Sequence, residues 1–160
     1  MNKFILGLAA AGSLASAHAS AATLAAGIFA STGNVVQDNG TNCNQVFLTT
    51  GTANNSVIVY PGATRAGFAL YVPFAGALQL CNTFATVPAG GLNGYTSVAQ
   101  CSLSGLNGSV PPQPVTFQFS TTTTDANTAY GTTSVSIPNT NILGAGCIAT
   151  IATSIVRSGK

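Results

Sequence analysis

Residues 115–138 read VTFQFSTTTTDANTAYGTTSVSIP and hold two alternating runs on either side of a polar connection. In 115–120 and again in 132–137, apolar side chains alternate with Ser, Thr or Gln, which is the two-residue period of a half-buried β-strand. The connection, 121–131, contains Asp125, a residue type that often bonds its own backbone in turns. The stretch therefore predicts an antiparallel hairpin with Asp125 near its tip.

The same two-residue period recurs along most of the chain. Further alternating runs occupy 23–30, 56–60, 68–72, 78–80 and 147–157. Asn-Gly pairs and prolines stand between these runs, and both are typical of the ends of strands and of tight turns. The pattern predicts an all-β domain, an antiparallel β-sandwich or small barrel of about eight to nine short strands.

The first 21 residues have the features of a secretory signal. Lys3 precedes an apolar run, 4–11, that is too short to span a bilayer, and small residues lead to Ala-x-Ala sites ending at Ala19 and Ala21. We predict cleavage after Ala19 or Ala21 and a single domain over 22–160, in which 22–36 is either part of the fold or an N-terminal extension. The mature chain holds no second segment apolar enough for a transmembrane helix, so we predict a secreted protein at the cell surface or outside the cell, with periplasmic transit if the source is bacterial.

Charge is scarce throughout the chain. Only 4% of residues are charged, with four Lys or Arg against two Asp, whereas about 25% is typical of a globular domain. Without a basic patch for phosphates, nucleic acid is not an expected partner. With so few titrating groups, the free energy of unfolding is expected to vary little with pH.

Four cysteines, Cys43, Cys81, Cys101 and Cys147, make an even set in an exported chain, which predicts two disulfides. Three connectivities are possible, and we favour the sequential one, Cys43 with Cys81 and Cys101 with Cys147. A metal site is not expected because no two of the cysteines form a Cys-x-x-Cys pair.

The residues needed for common catalytic chemistry are missing. The only histidine, His18, lies in the predicted signal, so no Ser or Cys nucleophile has a base in the mature chain. Asp38 and Asp125 could act as a glycosidase pair only if folding brought them together. Each loop offers only one carboxylate, which is too few for a typical calcium site. We therefore interpret both aspartates as Asx-turn residues. We therefore expect no catalytic residue, no metal ligand and no cofactor.

The runs at the two ends of the predicted domain, 23–30 and 148–156, carry no charge. Natural edge strands usually carry Lys, inward-facing charges or Pro against edge-to-edge association. These runs therefore either pair within the chain or add to the sheet of a neighbouring subunit. Apolar residues that alternate around a small one form the candidate assembly strand, Leu24, Ala26, Gly27, Ile28 and Ala30. The run 23–30 resembles the donor strands of chaperone-usher pilins in this respect, but the resemblance covers these residues only and assigns no family.

These features predict a non-enzymatic structural protein, a cell-surface, matrix or fibre subunit of pilus-like kind. Its expected partners are copies of itself or related subunits, bound through uncharged β-strands. The alternative is an extracellular binding module for carbohydrate or another surface ligand. In that case the candidate contact residues are Tyr60, Tyr71, Tyr95 and Tyr130.

Overall fold

A computed structural model describes residues 22–74, 77–102, 112–138 and 146–159. The predicted signal, 1–21, lies outside the described residues. The described chain contains one short 3₁₀ helix, Thr41–Val46, and eight strands: β1 (Gly27–Asp38), β2 (Ala53–Tyr60), β3 (Phe68–Phe74), β4 (Ala77–Thr83), β5 (Thr96–Cys101), β6 (Gln113–Asp125), β7 (Thr128–Ile137) and β8 (Cys147–Gly159).

The eight strands form a closed antiparallel barrel. Each strand pairs with the next along the chain, and β8 pairs with β1, from Ile28 opposite Gly159 to Asp38 opposite Ala149. The all-β prediction is confirmed, and of the two architectures the chain adopts the barrel. Several strands are longer than predicted, since β6 and β8 each run for 13 residues.

The hairpin predicted at 115–138 is formed by β6 and β7, with a shorter connection than expected. The threonines at 121–123 continue β6 and pair with β7, because the β-branched side chain of Thr suits a strand. The turn itself is residues 126–127. Asp125 Oδ1 accepts a hydrogen bond from the Asn127 amide at 2.7 Å, so its interpretation as a turn residue is confirmed.

Aromatic rings fill one half of the barrel, at the end where β1 begins and β6 turns into β7. We call this the lower end, and the end that carries the 3₁₀ helix the upper end. Phe68 lies at the centre of the cluster, with ring centroids 5.5 Å from Tyr95, 5.7 Å from Phe119 and 6.3 Å from Tyr60, while Phe29 lies 6.3 Å from Tyr60. These spacings are those of attractive aromatic pairs. The rings therefore plug the lower half of the barrel.

The connection between β4 and β5 covers the lower end of the plug. It buries Val87 and Leu92 and is fixed by two backbone bonds of 2.9 Å, from Thr64 N to Val87 O and from Val87 N to Arg65 O. The Tyr95 hydroxyl donates to the carbonyl of Ala85 at 3.1 Å. Burial of these apolar residues covers the lower end of the plug, and among the described residues the buried Tyr60 hydroxyl beside it has no hydrogen-bond partner.

Two inward-facing glycines flank β8, Gly33 on β1 and Gly131 on β7. Both stand opposite Thr153 in the register. A Cβ at Gly33 would overlap the carbonyl oxygen of Ala152, and one at Gly131 would overlap that of Ser120. Glycine inside a strand often marks a tight bend at a barrel corner. Gly33 lets β1 approach the backbone of β8 closely, and Gly131 lets β7 approach that of β6.

The structure confirms two disulfides and corrects their connectivity. Cys43 is bonded to Cys147, and Cys81 to Cys101. The sequential pairing was wrong because β4 and β5 place Cys81 directly opposite Cys101. Cys43 instead lies beside the start of β8, where Asn39 N donates to the carbonyl of Ile148 at 3.0 Å. Two disulfides indicate an oxidising, extracellular environment.

Candidate functional site

The two aspartates lie at opposite ends of the barrel. Asp38 is opposite Ala149 on β8, whereas Asp125 is opposite Thr128, which in turn is opposite Val156. The step from 149 to 156 on β8 corresponds to about 23 Å at roughly 3.3 Å per residue. Glycosidase carboxylates lie about 5 to 9.5 Å apart, so these two residues cannot act as such a pair in this fold.

Asp38 ties the end of β1 to the loop that follows the 3₁₀ helix. Its carboxylate accepts hydrogen bonds from the Thr50 hydroxyl at 2.6 Å, the Thr50 amide at 2.7 Å and the Gly40 amide at 2.8 Å. These bonds, the Thr50 hydroxyl first among them, hold the pKa of Asp38 below its ordinary value of 3.8. The Gly40 bond is the Asx turn predicted from the sequence.

A small acid-dependent loss of stability is expected from Asp38. Because its pKa is lower in the folded than in the unfolded chain, its contribution is fully present above the unfolded value and disappears as the pH falls through the folded one. Melting temperatures measured by calorimetry from pH 7 to pH 2 should therefore decline below about pH 4. Asp38→Asn should remove this decline, whereas Asp125→Asn should keep it. A decline that survives in Asp38→Asn would show that another group is responsible.

The candidate assembly strand is part of the barrel. Gly27, Ile28 and Ala30 belong to β1 and pair with β2 on one side and β8 on the other. Leu24 is buried, while Ala26 is exposed. Of the two alternatives left open by the sequence, the chain therefore adopts internal pairing, and residues 27–36 are a barrel strand rather than an extension. The backbone of this segment is not free to add to a neighbour's sheet in this fold.

Some of these residues nevertheless reach the outer surface. Ile28 and Ala30 point outward from β1, and Ala30 lies opposite Val156 on β8. Val156 also stands diagonally across from Tyr130 on β7, within reach of a large side chain. Ile28, Val156 and Tyr130 are 37%, 47% and 54% exposed. We call these four residues, Ile28, Ala30, Tyr130 and Val156, the β8 patch.

The tyrosines suggested as carbohydrate contacts are divided between core and surface. Tyr60 and Tyr95 are buried in the aromatic plug, Tyr71 is half-buried on β3, and Tyr130 is exposed. The buried position of Tyr60 raises the pKa of its hydroxyl, because the charged phenolate is disfavoured away from water. Only Tyr130 of the four offers a largely open ring face to a ligand.

The upper half of the barrel holds a cavity that the sequence did not indicate. Its volume is about 50 Å³. Apolar side chains of β3 and β6 line one side, and polar side chains come from β1, β2, β7 and β8: Ser31, Asn54, Ser56, Thr133 and Thr153. Asn54 lies before the run 56–60 that alternation identifies, so sequence periodicity did not place it inside a strand.

Comparison of the chain with protein-family models, with curated proteins and with solved structures finds no match. Within 22–74, 77–102, 112–138 and 146–159, no three His, Cys, Asp or Glu residues lie close enough together to hold a metal ion. The same part of the chain has no helix that is long and apolar enough to cross a membrane. The outer surface and the interior of the barrel are therefore the features from which function can be argued.

Proposed function

We propose that this protein is a secreted, non-enzymatic structural subunit whose copies associate through the outer face of β7, β8 and β1. The observation that supports this proposal is the β8 patch within a surface rich in hydroxyl groups. An apolar cluster rimmed by polar residues is typical of a protein interaction site.

The surface around the β8 patch is rich in hydroxyl groups, and Arg157, which follows Val156, is the charged residue next to it. Outward-facing residues of β6, β7, β8 and β1 include Ser120, Thr122, Thr132, Ser154 and Thr32. Charged residues on these strands lie at or near their ends, as with Asp38, Asp125 and Arg157. Between these ends, two copies could bring hydroxyl-rich side chains together without desolvating a charge, which would cost free energy.

The mode of association proposed is face to face. Strand addition needs an edge with unpaired backbone groups, and β1 and β8 use both of their edges inside the barrel. Side chains of the β8 patch, in contrast, project away from the barrel and are accessible. Association would therefore bury the exposed parts of Ile28, Tyr130 and Val156 while every strand keeps its partners.

A charge placed in the β8 patch tests this proposal. Val156→Lys should prevent association, because a lysine at the centre of an apolar contact would have to lose its water. Val98→Lys is the matched control, since Val98 on β5 is similarly exposed, at 55% against 47%, on another side of the barrel. Sedimentation velocity over a concentration series should show assembly of the wild type and of Val98→Lys, and monomers for Val156→Lys. Equal assembly of all three, or a monomeric wild type, would contradict the proposal.

Carbohydrate binding at the same face is the second candidate. Tyr130 lies in a row across the sheet with Thr122, Ser154 and Thr32, which gives an aromatic face flanked by hydroxyl groups. Such a row could stack on a sugar ring and hydrogen-bond its hydroxyls. A monomer that is retained on a polysaccharide column, and is released when Tyr130 is changed to Ala, would favour this candidate over self-association.

A further inference from the structure

We infer that the upper cavity is a binding site for a small neutral molecule with one hydroxyl or carbonyl group and a narrow aliphatic chain. This inference is independent of the association proposed above, because it concerns the interior of the barrel. It rests on unpartnered polar side chains, on a gap between two strands and on the distribution of charge.

Two polar side chains of the cavity wall lack partners. Ser31 and Asn54 are only 6% and 9% exposed, and within the part of the chain that the structure describes neither side chain is hydrogen-bonded to another residue. Their polar atoms are not among the fully buried unpartnered ones, which belong to Thr49, Tyr60 and Thr121, so they are accessible from the cavity. By contrast, Thr153 donates its hydroxyl to the Ile151 carbonyl at 3.1 Å. Ser31 and Asn54 therefore have donors and acceptors to offer to a molecule in the cavity.

The position of Gly33 places these groups around one space. Asn54 on β2 and Thr153 on β8 both stand opposite Gly33 on β1. Atoms of Ala152 and Ile151 on β8 occupy the place of a Gly33 side chain, and Asn54 and Thr153 line the cavity beside it. Ser31, the next inward residue of β1, borders the same space. A single polar group of a ligand placed there would lie near both Ser31 and Asn54.

The pairing between β2 and β3 ends beside the cavity. β2 and β3 pair only where 57–59 face 69–71, and above this point residues 53–56 and 72–74 have no pairing with each other. Asn54, Ser56, Val72 and Pro73 of these two segments line the cavity. Pro73 has no N–H to donate, so it cannot extend the pairing of β3. In our inference these unpaired segments form the side entrance through which a chain projects.

The charge and size of the cavity limit what it can bind. None of the described charged residues, Asp38, Arg65, Asp125 and Arg157, lines it, so a carboxylate or ammonium group would be buried without a partner. Its volume of about 50 Å³ is a third of the roughly 150 Å³ that accommodates benzene in an apolar protein cavity. An aliphatic chain that leaves through the side entrance fits this space better than a ring does. The apolar side chains of β3 and β6, among them Leu70, Val115 and Phe117, would contact the chain.

Titration with 1-octanol, with sodium octanoate as the charged comparison, tests the inference. In methyl-resolved NMR spectra of the disulfide-bonded protein, octanol should shift the signals of Leu70 and Val115 and give NOEs to them, while octanoate at equal concentration should not. Asn54→Leu should weaken octanol binding about tenfold, a change typical of one lost hydrogen bond in a buried site. Asn55→Leu is the matched control, since Asn55 is the exposed neighbour on the same strand, and it should bind as the wild type does.

If Asn54→Leu does not fold, Ser31→Ala replaces it in the octanol titration and should likewise weaken binding. Three results would overturn the inference: a cavity that holds water only, with no cavity shifts at octanol saturation; equal binding of octanoate; or equal loss in Asn54→Leu and Asn55→Leu. Because Val156 does not line the cavity, Val156→Lys should bind octanol normally. Failure of self-association and failure of ligand binding can therefore be told apart.

Discussion

Removal of the Cys43–Cys147 disulfide, in a variant with both residues changed to Ala, is expected to lower the free energy of unfolding by about 4 to 5 kcal/mol. The two cysteines are 104 residues apart, and in the chain-entropy model a cross-link of that span removes a large part of the conformational freedom of the unfolded chain. Since a domain has only about 5 to 15 kcal/mol of stability in total, this variant should be close to unfolding at 37 °C. Urea denaturation followed by circular dichroism measures the change.

The second disulfide supplies the control for this prediction. Cys81 and Cys101 are 20 residues apart, which corresponds to about 3 kcal/mol in the same model. The Cys81→Ala/Cys101→Ala variant should therefore be the more stable of the two. If it is the less stable one, span is not what determines the contribution of these disulfides. Mass spectrometry of non-reduced peptides should find Cys43 linked to Cys147 in the wild type, and a Cys43–Cys81 peptide would contradict the fold.

Substitution of Gly33 by Val is expected to destabilise the barrel by about 3 kcal/mol, at the upper end of overpacking effects. A side chain at this position would meet the backbone carbonyl of Ala152 on β8, and a backbone atom cannot move aside by changing rotamer. The β1–β8 pairing would have to separate locally. Urea denaturation gives the loss of stability, and amide hydrogen exchange should show faster exchange along β1 and β8.

Thr32→Val is the control for Gly33→Val, because Thr32 is the adjacent residue on the outer face of the same strand. It should change the stability by less than about 0.5 kcal/mol. Gly131→Ala should also destabilise the barrel, since a Cβ there would meet backbone atoms of β6 and its φ of +152° suits glycine. Wild-type stability of both glycine variants would show that neither the close approach of β1 to β8 nor that of β7 to β6 requires glycine.

The strands could be predicted from the sequence because alternation in this chain reflects burial. In β6, Val115, Phe117 and Phe119 are buried and the residues between them are not. The choice between sandwich and barrel could not be made, because both bury one face of each strand and produce the same period. The close backbone approaches at Gly33 and Gly131 are apparent only when the distance between neighbouring strands is known.

Neither the connectivity of the disulfides nor the cavity could be predicted from the sequence, because both depend on how the strands are arranged in space. Cys81 and Cys101 pair because β4 and β5 are adjacent in register, which spacing along the chain does not reveal. The cavity exists where inward side chains fail to fill the interior, so it depends on side chains from many strands at once. Asn54 and Ser31 look like ordinary surface residues in the sequence, and only their burial distinguishes them.

The pairing of the first strand with the last has a consequence for how the chain acquires its fold during synthesis. A ribosome synthesises the chain from its N-terminus at about 5 to 20 residues per second. The interval between the synthesis of β1 and that of β8 is therefore on the order of ten seconds. Until then every intermediate has two open edges, on β1 and on the newest strand, and contacts of such long sequence separation form slowly. A chain that ends before Cys147 lacks both the pairing of β1 with β8 and the Cys43–Cys147 disulfide. Premature termination should therefore yield aggregation-prone fragments with unpaired strand edges rather than smaller closed barrels.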